Sequence, residues 1–179
     1  MLVLFETPRL IVRQMARTDA DALLAIFSDR ETMRFYGSGQ PWTRADVERM
    51  LDTYPFGDER LISEPGIALR KPDLAIAAYG GVGYFRQGDA TADLFFIVKP
   101  EQRGQGLATE FAAAAITAAF RRPEIMTIHA TVMLRNNASK QVLKKVGMRF
   151  HGYRPDRDRL HYRIDREITQ SQQATAPQS

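Results

Sequence analysis

One stretch constrains the fold more than any other. Leu94-Phe-Phe-Ile-Val98 leads through Lys-Pro-Glu-Gln-Arg103-Gly104-Gln105-Gly106 into an apolar and alanine run from Leu107 to Phe120, which Pro123 stops. Leu94, Phe96 and Val98 alternate as a half-buried strand does. Leu107, Phe111, Ala115 and Ala118 recur at helical spacing, so the run describes a helix with one face on a core. A strand that turns on two glycines into a long helix describes an α/β unit in which the helix packs back on its own sheet.

That turn has a chemical consequence. The first amides of a helix have no intrahelical acceptor, and with the macrodipole they make a site for an anion such as phosphate. Gly104 and Gly106 let the backbone approach such a group closely, and Arg103 adds a charge-assisted contact. The same glycines equally suit a tight turn with close helix packing, and the segment alone does not decide between the two readings. It carries neither the three glycines of a dinucleotide fingerprint nor a following Gly-Lys-Ser/Thr, so nicotinamide and P-loop nucleotides fit poorly.

The rest of the chain supplies the remaining layers. Leu10-Ile11-Val12 reads as a strand, and Thr18-Asp19 as the cap of a helix bearing Leu23, Ile26 and Phe27. Thr43 and Asp46 resemble a capping box with a short acid, opening a helix through Val47, Met50 and Leu51 that Pro55 and Gly57 end. Ile67/Leu69, Leu74/Ile76, Val82/Tyr84 and Leu94/Phe96/Val98 suggest three strands, and Ile125 to Met133 another. Ala138 to Val146 reads as a short amphipathic helix ended by Gly147, before a last strand pair at Phe150–Tyr153 and Tyr162–Ile168. At 179 residues this is one domain, spanning 1–168, with a polar tail over 169–179 that has nothing to bury and is expected to be disordered.

Composition narrows the chemistry. Without cysteine there is no disulfide, no thiolate metal cluster and no cysteine nucleophile, and three histidines give poor support for a metal site. No stretch reaches the roughly 18 apolar residues of a membrane helix, and Glu6, Pro8 and Arg9 interrupt the start too early for a secretory segment, so a cytoplasmic location is expected. A net charge of +4 is compatible with nucleic acid, acidic surfaces or a polyanionic cofactor, but arginines interleaved with acids, as in Arg154–Arg159, read as a solvated loop.

Three segments together resemble a family. Arg103-Gly-Gln-Gly106-Leu-Ala108 matches the Arg/Gln-x-x-Gly-x-Gly/Ala motif of GNAT acetyltransferases, and Asn136-Asn-Ala-Ser139 through Lys145-Val-Gly147-Met148 is similar to their Asn-x-x-Ser…Lys-x-Gly-Phe segment, with Met148 for Phe. Glu6-Thr-Pro-Arg9-Leu-Ile-Val-Arg13, Asp19-Ala-Asp-Ala-Leu and Pro41-Trp42-Thr43 resemble the subfamily typified by the RimJ and RimL N-terminal acetyltransferases. The resemblance spans about residues 5–168. It implies the GNAT fold: a mixed, mostly antiparallel sheet of about seven strands with four helices, splayed between the fourth and fifth strands to admit acetyl-CoA.

It also implies roles. Phe96, Ile97 and Val98 would pair with the pantetheine arm, and Arg103, Gly104, Gln105, Gly106, Leu107, Ala108 and Thr109 would cradle the diphosphate, with Asn136 and Ser139 also binding the cofactor, Ser139 near its sulfur. Asp93 stands where many members carry a glutamate that deprotonates the amine; it is one methylene shorter, which favours a water relay, and as a residue on a strand it also suits a plain exposed face. Leu143 replaces the usual proton-donating tyrosine, leaving Ser139 to serve the thiolate. Asn136 and Ser139 also suit a helix cap, and Lys140, Lys144 and Lys145 a solvated helix face. Phe35, Tyr36 and Trp42 come from the region that covers the acceptor in the family, and as aromatics they suit core packing equally well. His129 reads as a core residue; His151 and His161 are site neighbours without a specific signal.

The expected activity is transfer of an acetyl group from acetyl-CoA to a primary amine, of a protein N-terminus, an amino acid or a small molecule, by direct attack in a ternary complex without an acyl-enzyme. A homodimer through the last strands is an expected assembly. Two other readings remain: a non-catalytic acyl-CoA sensor, favoured by Leu143 and the short Asp93, and a ribosome- or RNA-associated protein, favoured by the positive charge.

Overall fold

The computed structural model describes residues 2–54, 65–83 and 90–166. Tyr84, the helix stop at Pro55 and Gly57, and the tail from 169 lie outside the described residues. The chain forms β1 (Val3–Glu6), β2 (Leu10–Gln14), α1 (Ala20–Phe27), α2 (Arg30–Met33), α3 (Arg44–Thr53), β3 (Gly66–Arg70), β4 (Ile76–Gly83) and β5 (Thr91–Val98). It continues through α4 (Leu107–Phe120), β6 (Thr127–Met133), α5 (Asn137–Lys145), β7 (Arg149–Arg154) and β8 (Arg159–Asp165). One eight-stranded sheet runs in the order β1-β2-β3-β4-β5-β6-β8-β7. Every neighbouring pair is antiparallel except β5 and β6, which are parallel.

The sheet separates two cores. On one face Leu94, Ala92 and Val82 pack with Phe111, Ala115 and Ile116 of α4 and Leu143 of α5. On the other, Ile97, Tyr79 and Ile67 pack with Leu23, Ile26 and Phe27 of α1 and Val47 and Leu51 of α3. Alternation along β5 feeds both, which is why neither face of that strand is left to solvent over its central residues. The stripe on α4 is Phe111, Ala112, Ala115, Ile116, Ala119 and Phe120; Ala118, expected on it, is only half-buried, because the helix presents the neighbouring row.

The fold agrees with the GNAT expectation, with one more strand. Val3–Glu6 pairs with β2 across a turn in which Thr7 N–H donates to Leu10 O (2.9 Å) and Leu10 N–H to Thr7 Oγ1 (2.9 Å). The splay expected after the fourth strand therefore follows β5. The single-turn α2 is likewise additional, capped by Asp29, whose Oδ1 accepts the Thr32 N–H at 2.6 Å.

Two local expectations differ. Asp19 does not cap α1: its carboxylate takes both ends of the Arg13 guanidinium (2.8 and 2.6 Å) and the Ala16 N–H (2.8 Å), a buried charge-assisted arrangement that outcompetes a single capping bond. Leu74 is not in a strand but in the β3–β4 turn with φ +55°, exposed. The Thr43/Asp46 box does close, with Thr43 N–H donating to Asp46 Oδ2 (2.9 Å) and Asp46 N–H to Thr43 Oγ1 (3.3 Å).

Candidate active site

β5 and β6 pair at only three positions: Thr91 with Thr127, Ala92 with Ile128 and Asp93 with His129. Beyond Asp93 the two strands part, so the edge of β5 facing β6 has backbone groups with no strand partner over Leu94–Val98. On its other edge β5 stays paired to β4 as far as Val98. Gly80 makes that close pairing possible: a Cβ there would sit 2.4 Å from the Phe95 carbonyl oxygen and 2.7 Å from Phe96 Cα. The parting opens a cleft of about 940 Å³ walled by β5, β6, the glycine loop, α5, the α2 segment and the β7–β8 turn, a size that suits a large ligand.

The glycine loop lines the mouth of the cleft. Gly104 and Gly106 take φ +76° and +78°, the left-handed region that side chains disfavour. The N–H groups of Thr109 and Glu110 close the first turn on Gly106 O at 3.1 Å each. Among the described residues those of Gly104, Gln105, Gly106, Leu107 and Ala108 have no acceptor, which leaves a row of donors at the positive end of a fourteen-residue helix. Arg9 holds the loop in place: its Nη1 donates to Gln105 O (2.8 Å), and its Nε (2.6 Å) and backbone N–H (2.9 Å) reach Glu110.

Most of the expected residues converge. Asp93, Phe96, Ile97, Val98, Arg103, Gly104, Gly106, Leu107, Ala108 and Thr109 line the cleft from one side, and Asn136 and Ser139 from the other. Some are engaged differently from the expectation. Arg103 donates from Nε to Val98 O (3.2 Å) and from Nη2 to Thr32 Oγ1 (2.5 Å), with Asp29 at 3.8 Å, so its guanidinium ties the loop to α2. The Gln105 side chain turns back to Glu101 O (3.4 Å), leaving only its backbone to the loop. Asn136 caps α5 through Oδ1, which accepts the Ser139 N–H at 3.1 Å. Leu143 is buried in the first core, at the cleft wall.

Phe35 and Tyr36 line the cleft near α2. Trp42, expected beside them, sits one layer back, its ring 4.5 Å from that of Phe27 and 6.3 Å from that of Tyr36, because Phe27 fills the second core directly beneath it. His129 is not a core residue. Ile128, Ala130 and Val132 take the buried face of β6, which turns His129 to the other side, half-buried, next to Asp93 in register and 6.2 Å from the His151 ring. Burial pushes the pKa of His129 down against the raising effect of Asp93, and burial together with Arg154 does the same to His161. Sequence alternation identified that face of β6 but not that it lies open. Among the described residues no cluster of histidine or acidic side chains is placed to hold a metal, and no helix is long and apolar enough to cross a membrane.

A family model described as an acetyltransferase (GNAT) domain matches residues 9–149. The chain belongs to the GNAT acetyltransferase family. This GNAT protein is 30% identical over 156 residues, 85% of its own length and 86% of the relative's, to an uncharacterised N-acetyltransferase, YoaA, of Bacillus subtilis. In structure it is similar to spermidine N-acetyltransferase from Vibrio cholerae in complex with CoA and spermine (TM-score 0.79, 14% identity, covering 90% of this chain and 98% of that one). It is also similar to RimL, a ribosomal L7/L12 alpha-N-protein acetyltransferase in complex with coenzyme A (TM-score 0.80, 13% identity, covering 91% and 97%). As a GNAT acetyltransferase it uses acetyl-CoA. The residues present fit that donor: a row of unclaimed amides at the glycine loop suits a diphosphate, and an unpaired strand edge in an open notch suits an amide-bearing arm.

Proposed function

We propose that this GNAT acetyltransferase is a RimJ/RimL-like N-acetyltransferase that transfers acetyl to a primary amine, on a protein N-terminus, an amino acid or a small molecule, by direct attack within a ternary complex. The observation that carries this reading is the parting of β5 and β6 directly after Asp93, which sets a carboxylate at the closed end of a cleft whose open end is the glycine loop. Bound acetyl-CoA supplies an acyl group activated as a thioester and a thiolate able to leave.

The chain's own groups do the rest. The N–H groups of Gly104–Ala108 hold the diphosphate, and the free edge of β5 over Phe96–Val98 aligns the pantetheine arm. Asp93 takes the proton of the incoming ammonium through a water, with His129 beside it as a neutral partner at physiological pH, since burial keeps its pKa low. Ser139, on the opposite wall, donates to the sulfur. Phe35 and Tyr36 wall the acceptor. No cysteine exists to carry an acyl group, which agrees with direct transfer. A cytoplasmic location and a homodimer through β7, an edge strand with Phe150 and Tyr153 exposed, belong to the same reading.

The test is free-thiol release from acetyl-CoA across N-terminal peptides, amino acids and small amines. Release is expected with at least one class, and Asp93→Asn is expected to lower kcat about a hundredfold while leaving acetyl-CoA affinity unchanged. The buried Leu143, where a proton-donating tyrosine is usual, favours a second reading, a non-catalytic sensor. Tight acetyl-CoA binding without release for any amine would establish that reading instead.

A further inference from the structure

Resting on the N-acetyltransferase reading, we infer that the acceptor is a primary amine carrying a carboxylate close to its amino group. The acceptor side of the cleft is basic. Along β8, Leu160, Tyr162 and Ile164 pack into the core beneath α4 and α5, so Arg159 and His161 project from the opposite face. Arg154 lies across from Arg159 in the β7–β8 register, and Arg157 occupies the turn between them. All four line the cleft.

Little negative charge balances them. Among the described lining residues the carboxylates are Glu31 and Asp93, and Glu31 is paired with Arg34 at 3.3 Å. Arg157 has Asp156 at 3.6 Å, but among the described residues neither Arg154 nor Arg159 has a carboxylate within 4.0 Å, whereas Arg163, further along β8 and outside the cleft, is matched to Asp165 at 2.8 Å. The coenzyme's diphosphate does not account for these cations: its site is the glycine loop, whose helix packs on the other face of the sheet.

Two consequences follow from this charge. A guanidinium binds a carboxylate with two parallel hydrogen bonds, which orients an amine attached nearby. The same field disfavours an ammonium and lowers its pKa, so more of the bound acceptor is the neutral nucleophile. Polyamines and aminoglycosides bring several positive charges into this wall and no counter-charge. A free amino acid and a peptide with an acidic residue next to its N-terminus both supply the required group.

The experiment compares kcat/KM, by thiol release, for matched acceptors: amino acids against their amides, Asp- or Glu-containing peptides against their Asn or Gln forms, with spermidine and an aminoglycoside as polycations. The carboxylate member of at least one pair type is expected to be favoured about tenfold or more, mostly through KM. Whether amino acids or peptides give the preference identifies the source of the carboxylate. Arg159→Gln and Arg154→Gln are each expected to bring the preference close to parity, with unchanged acetyl-CoA affinity showing that the variants fold. Equal or better use of amides or polycations, or a preference that survives both substitutions, would overturn the inference and leave the N-acetyltransferase reading standing. Absence of thiol release with every acceptor would overturn that reading, and the inference with it.

Discussion

Arg9 and Glu110, a hundred residues apart in the chain, fix the geometry of the glycine loop. Glu110 accepts from Arg9 Nε, from the Arg9 N–H and from Thr7 Oγ1 (2.6 Å), while Arg9 also holds the loop carbonyl of Gln105. Burial raises the pKa of Glu110, but its bonds to Thr7 and Arg9 and the charge of Arg9 outweigh this and hold it below the ordinary value. A depressed carboxylate pKa stabilises the fold at pH above its unfolded value, about 4.3, and that contribution is lost as pH falls through the folded value. Glu110→Gln is therefore expected to lower Tm at neutral pH and to flatten its decline below about pH 4.3; a Tm profile parallel to the parent's would show that the network contributes nothing. The segment Glu6-Thr-Pro-Arg9 was visible as a family signature without a role, and Gly104 and Gly106 were legible because left-handed backbone before a helix favours glycine. The partners of Arg103 were not legible, since Thr32 and Asp29 lie some seventy residues away and only the fold brings them together.

Among the elements, β5 does the most for the site: it pairs fully with β4, briefly with β6, and feeds side chains to both cores. Its path depends on Gly80. Gly80→Ala places a methyl inside the contact distance of the Phe95 and Phe96 backbone, which belongs to a strand and cannot rotate away as a side chain would. We expect a loss of about 1–3 kcal/mol in urea unfolding together with weaker CoA binding, because the displaced backbone is the cleft wall. Parent-like stability and affinity would show that β4 and β5 have slack at this point. The long helix and the strands around it were readable from period alone, with α4 ending at the expected residues. The four-residue β1 and α2 were not, because so short a stretch carries too little periodicity to stand apart from a loop.

At the scale of the whole molecule, one sheet divides two cores, and among the described residues its only parallel pair is the place where it opens. α4 links the two strands of that pair, so the same helix that buries Phe111 and Ile116 delivers its amino end to the mouth of the cleft. The α/β class, the splay and the convergence of the glycine loop with Asn136 and Ser139 were legible from the sequence. Which sheet face stays open, and with it the placing of His129 beside Asp93 and of His161 in the cleft lining, was not, because alternation assigns residues to faces without saying what covers each face. The claim on which the account depends is that the amides of Gly104–Ala108 grip the diphosphate of CoA. Titrating CoA into the isotope-labelled protein and following each backbone amide by two-dimensional NMR tests it directly. The largest shifts at saturation are expected on Gly104, Gly106, Leu107 and Ala108, shrinking when pantetheine replaces CoA; saturable binding that leaves these four amides unmoved would show that the diphosphate is held elsewhere.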